Sequence, residues 1–112
     1  MSKLIKDQEA FLRFLHNSKL SQKQRKELFR TASKEQIHAL CECAFNILRK
    51  NVPLSSEQLK TLRKPKYKKT VYVLGDRKAS LSKKKKALIK QDGGFPFALL
   101  APIIGGIIGA LT

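Results

Sequence analysis

Thirteen cations crowd one stretch of 31 residues: Lys60, Arg63, Lys64, Lys66, Lys68, Lys69, Arg77, Lys78, Lys83, Lys84, Lys85, Lys86 and Lys90. One acid, Asp76, stands among them. Each cation can neutralise a phosphate and release a condensed counterion, which is the chemistry of polyanion binding. A solubilising surface would interleave both signs, and this stretch does not. Eleven of the thirteen are lysines. Lysine is a hydrated point charge that reads base edges poorly, so the expected mode is backbone binding without sequence preference. Tyr67 and Tyr72 lie in the same stretch and could stack on bases, although buried rings are the expectation here. Nucleic acid is the first candidate partner and an anionic membrane face the second.

The other chemically distinctive segment is apolar. Phe95 to Leu111 is a run of 17 uncharged residues. Phe95, Phe97, Leu99, Leu100, Ile103, Ile104, Ile107, Ile108 and Leu111 are its candidate membrane-contacting side chains. As a helix it would span about 26 Å at 1.5 Å per residue, short of a bilayer core of about 30 Å. Pro96 and Pro102 interrupt it, and Gly105, Gly106 and Gly109 weaken it. Gly105 and Gly109 have the spacing of a close helix contact in lipid. A membrane-active tail is therefore expected rather than a stable span. The alternative is that the tail folds back as a core element, but few large apolar residues between 60 and 90 need covering. Gly93-Gly94 divides the charged and apolar parts as a flexible linker or a protease-accessible hinge.

Catalysis has little to stand on. His16 and His38 have no Ser or Cys partner with an acid placed for a triad. Cys41 and Cys43 point apart on a helix, and no His or Cys pair nearby completes a zinc set. They are read as reduced cysteines of an intracellular protein. No catalytic residue, metal or cofactor is expected, and the chain is not read as an enzyme.

These features need elements to carry them, and the pattern predicts four to six helices. The first covers about residues 3–17, with Leu4, Phe11, Leu12 and Leu15 on one stripe. Three Ser-x-x-Gln sequences, from Ser21, Ser33 and Ser55, are capping-box patterns that open the next three. The helix after Ser33 is the clearest. Ile37, Leu40, Cys41, Ala44, Phe45 and Leu48 recur at core spacing, which places it at the centre of the domain. Asn51-Val52-Pro53 breaks it. Leu59 and Leu62 face inward on the fourth helix, which Pro65 ends. Residues 66–79 are ambiguous: Tyr67, Val71 and Leu74 keep helical spacing, while Thr70-Val71-Tyr72-Val73 has strand propensity. Helix is favoured, because no second strand is present to pair. Ser80 or Ser82 opens a last helix that ends at about Lys90.

The expected fold is all-α: a small helical bundle over residues 1–64, a looser lysine-rich helical segment over 65–92, and a Gly-Gly hinge with an apolar tail over 93–112. Charge divides the same way. Residues 1–59 carry 11 basic and 6 acidic side chains, 60–90 carry 13 and one, and 91–112 carry one acid, for a formal net charge of +16. Such a charge repels itself in a compact monomer. The core counted from the sequence is thin for 112 residues, so a homo-oligomer or folding on a partner is expected to help. The polar, mixed-charge start of the chain does not read as a signal peptide, and synthesis in the cytosol is expected.

The order Lys83-Lys84-Lys85-Lys86, then Gly93-Gly94, then a Pro-containing Leu/Ile/Ala/Gly tail resembles the precursors of adenovirus core protein X, or mu. The chain as a whole resembles the small proteins of that type encoded by Polinton/Maverick elements and adintoviruses, most of all through residues 32–48 and Asn51-Val52-Pro53-Leu54. This resemblance implies a virion core protein that condenses double-stranded DNA. It implies capsid proteins as neighbours, a location in the virion, and synthesis in the host cytoplasm or nucleus. It also implies that a viral cysteine protease cuts between Gly94 and Phe95 and releases the tail. The chain departs from the adenoviral pattern at Gln91, where those sites carry Leu, Ile or Met, and in its N-terminal helices, which have no adenoviral counterpart.

Overall fold

The computed structural model describes residues 3–16, 20–90 and 100–103. Gly93, Gly94, Phe95, Phe97, Leu99, Ile104, Ile107, Ile108 and Leu111 lie outside the described residues, as do the side chains of Lys66 and Lys90.

Among the described residues the chain is all-helical. Lys3–Asp7 (α1) and Glu9–His16 (α2) form nearly one helix. The bonds Gln8 N–H to Leu4 O and Leu12 N–H to Gln8 O, both 3.0 Å, carry the ladder across the joint. Ile5, Leu12 and Leu15 are its buried residues. Leu4 and Phe11, expected on the stripe, are only half-buried.

Gln22–Thr31 (α3), Lys34–Leu48 (α4) and Ser56–Arg63 (α5) each begin on the expected capping box. At all three, the serine oxygen accepts from the glutamine N–H, and the glutamine side chain accepts from the serine N–H. The distances lie between 2.8 and 3.2 Å. Pro65–Gly75 (α6) follows α5 almost at once. Pro65 ends one helix and opens the next, since proline fits the first helical position where no N–H is needed. The local strand propensity of Thr70–Val73 therefore yields to tertiary packing. Leu81–Lys90 (α7) is opened by Ser80, whose hydroxyl accepts from Lys83 N–H at 3.1 Å. Leu100–Pro102 (α8) is the last described helix.

α4 is the centre of the bundle, and more of it is enclosed than one stripe accounts for. Ala39, Cys43 and Ile47 are buried as well as Ile37, Leu40, Cys41 and Ala44. α1, α6 and α7 all pack on it, and α6 does so most extensively. Phe45 and Leu48 are only partly buried, and Leu59 is exposed.

The lysine-rich segment belongs to the same core. Val71 and Leu74 on α6 and Leu88 on α7 are buried with the residues of α1 to α4. α7 packs on α3, α4 and α6. No packing seam therefore falls at residue 64. Gly75 supports this closeness: a Cβ there would come within 2.7 Å of Leu48 Cδ1. Leu100 and Ile103, expected to contact membrane, are fully buried here, and α8 lies on α2. The folded-back arrangement holds at these two residues, with α2 the element that α8 packs on most. These additions make the core larger than the sequence count, and each side chain of this size contributes about 1.5–3 kcal/mol when fully buried.

α4 ends in a Schellman motif without glycine. Lys50 takes a positive φ of 60°. Its N–H bonds Ile47 O at 3.2 Å, and Asn51 N–H bonds Asn46 O at 2.9 Å. Asn51 Nδ2 also donates to Asn46 Oδ1 at 2.9 Å, tying the turn to the helix through side chains.

Candidate nucleic-acid interface

The cations of 60–90 sit on consecutive, packed elements. α5 packs on α6, and α6 on α7. Lys60, Arg63 and Lys64 are exposed at the end of α5. Lys68 and Lys69 are exposed on α6, Arg77 and Lys78 on the following turn, and Lys83 and Lys86 on α7. Lys85 is half-buried.

Lys84 is a correction to the expected set. It is 9 % exposed and faces inward beside Cys41 and Leu74. A run of four lysines on a helix must turn one of them inward when the helix packs on two neighbours. A lysine stem is apolar enough to be that one. Its charged end is presented to the cleft lined by Cys41 and Leu74, and not to the outer face that carries Lys83 and Lys86.

Lys64, Lys68 and Tyr72 recur every four residues along α6, so they form one stripe about 12 Å long at 1.5 Å per residue. Tyr72 is 52 % exposed, against the expectation of a buried ring, and Lys68 Nζ lies 5.7 Å from its centroid. Tyr67 is half-buried. The exposed ring offers a flat surface inside a cationic stripe.

Asp76 does not neutralise this surface. Its Oδ1 accepts from the backbone N–H of Lys78 at 2.9 Å and so shapes the turn that presents Arg77 and Lys78. Among the described residues no ion pair joins the cations of 60–90 to a carboxylate. Ion pairs do form nearer the N-terminus, at Arg13–Glu9 and Arg30–Glu27. Lys83 and Lys86, one turn apart on α7, repel each other by a few tenths of a kcal/mol, and so do Lys64 and Lys68. A bound polyanion would remove this repulsion.

Two cysteines complete the inventory of reactive groups. Both are free and buried. Burial pushes the Cys43 thiol up to about 12. Burial also raises the Cys41 thiol, with Lys84 opposing the rise. Neither is poised as a thiolate nucleophile. Among the described residues no group of His, Cys, Asp or Glu could hold a metal ion. No helix there is long and apolar enough to cross a membrane. Comparison with protein-family models, curated proteins and solved structures finds no match.

Proposed function

We propose that this protein binds nucleic acid non-specifically through the exposed cations of α5, α6, the α6–α7 turn and α7, and condenses double-stranded DNA as a virion core protein. The observation that carries this reading is the unneutralised state of that surface. Nine side chains are exposed there, no carboxylate among the described residues pairs with them, and Asp76 accepts from the backbone of its own turn. The preponderance of lysine supports phosphate contacts over base reading. The resemblance to adenovirus core protein X precursors and to their Polinton/Maverick and adintovirus counterparts supports the virion setting. It also supports protease release of the tail and capsid proteins as partners.

The test is binding of the full chain to unrelated duplexes across a salt series. Each neutralised phosphate contributes about −0.9 to the slope of log K against log salt, so five to nine contacts give roughly −4 to −8. Affinity should be equal for every sequence. Binding insensitive to salt, or confined to one sequence, would refute the reading.

A second reading, membrane activity, rests on the apolar composition of residues 95–111. Leu100 and Ile103 would first have to leave the core. Leakage from anionic vesicles that is lost when Ile103 is changed to Asp would support it, and intact vesicles would remove it.

A further inference from the structure

A cleft of about 610 Å³ opens beside Phe45, between α4, the turn after it, the α6–α7 turn and α7. This falls within the roughly 300–1,000 Å³ of small-molecule sites. Lys84 lines it, although that side chain is almost fully buried. The stem is covered, while the ammonium is not among the buried polar atoms that lack a partner, so the charged end is presented to the cleft. Glu42, the one carboxylate on the wall, forms no ion pair with Lys84 or with Arg77, the second cation of the lining. The lining thus holds two cations and one acid, with no ion pair among them.

The remaining walls are Cys41, Phe45, Leu74 and Gly75 on the apolar side and two hydrogen-bonded asparagines on the polar side. Asn46 Nδ2 donates to Glu42 O at 2.8 Å, and its Oδ1 receives Asn51 Nδ2. Arg77 lies 4.4 Å from the centroid of Phe45, and Arg49 lies 5.0 Å from it. The guanidinium of Arg77 is therefore held over a ring of the cleft lining. Such a plane can stack on a base or fork onto a phosphate.

We propose that this cleft is a nucleotide-binding site in which Lys84 and Arg77 take the phosphate and Glu42 and Asn51 face the polar edge of the sugar or base. It adjoins the exposed cationic surface, with which it shares Arg77. The nucleotide could be free or the unstacked end of a strand, since both present the same chemistry.

The full chain would be titrated with inorganic phosphate, adenosine 5′-monophosphate and a 5′-phosphorylated ten-residue oligothymidylate, with backbone amide shifts followed by NMR. Lys84→Met, Arg77→Gln and the exposed control Lys34→Met would be compared. Arg77→Gln alters an exposed turn and keeps the test alive if Lys84→Met does not fold. The expected result is shifts at Cys41, Asn51, Gly75 and Lys84 on adding the monophosphate. Affinity should fall at least tenfold in Lys84→Met and in Arg77→Gln, and stay within twofold in Lys34→Met. A monophosphate that binds and an oligonucleotide that does not would assign a free nucleotide; equal binding would assign a strand end. Shifts confined to the outer faces of α6 and α7, equal losses in all three variants, or phosphate binding as tightly as the nucleotide would overturn the proposal. Failure of duplex binding with these shifts intact would instead overturn the packaging role alone.

Discussion

Replacing Leu100 by Ala tests whether the apolar tail is part of the fold. Leu100 is fully buried, and its short helix lies on α2. The substitution removes about three carbon-equivalents, or roughly 2.4 kcal/mol at ~0.8 kcal/mol per methylene. A residual cavity adds to this, and Leu→Ala changes in cores cost about 2–5 kcal/mol. The site lies at one edge of the bundle, where α8 can settle inward, so about 2–3 kcal/mol is expected. A domain of this kind has a total stability of about 5–15 kcal/mol. The melting temperature should fall by roughly 10 °C, at about 4 °C per kcal/mol. Urea unfolding followed by circular dichroism at 222 nm measures the change directly, with Ala101→Ser as an exposed control on the same element. The control should stay within about 0.5 kcal/mol of the parent. If Leu100→Ala and Ala101→Ser are indistinguishable, the tail is not packed on the bundle and the reasoning fails. The membrane reading would then regain its ground.

Other consequences follow from single residues. Ser33→Ala removes the hydroxyl that accepts from Gln36 N–H at the start of the central helix and should cost about 1 kcal/mol by urea unfolding. Lys50→Gly should raise stability by about 0.5–1 kcal/mol, because glycine adopts the positive φ of 60° without a Cβ penalty and both Schellman bonds remain. Cys43 is buried as a neutral thiol whose folded value is raised to about 12 from an ordinary 9.0. The unfolded chain releases that proton more easily, so its contribution is complete below pH 9 and is lost as pH rises toward 12. Cys43→Ala should flatten the alkaline loss of stability between those values, and a curve parallel to the parent's would refute this.

The sequence by itself determined the elements and the charge. A capping box is made by two side chains three residues apart, so Ser21-x-x-Gln24, Ser33-x-x-Gln36 and Ser55-x-x-Gln58 carry their helix starts whatever lies around them. The cationic stretch needs no neighbours to be read either, and the stripe through Ile37, Leu40 and Ala44 announced the central helix. Burial was decided elsewhere. Ala39, Cys43 and Ile47 are buried because α1, α6 and α7 all pack on α4 and enclose more of it than one stripe. Tyr72 is exposed because α6 turns Val71 and Leu74 to the core. Lys84 differs from Lys83 and Lys86 in facing the cleft beside α4, and Leu100 and Ile103 are covered where α8 meets α2, a surface distant in sequence. Hydrogen bonds and charge within one turn are local properties of the chain. Which side of a helix meets another depends on where every other helix crosses it, and that is set only when the whole bundle closes.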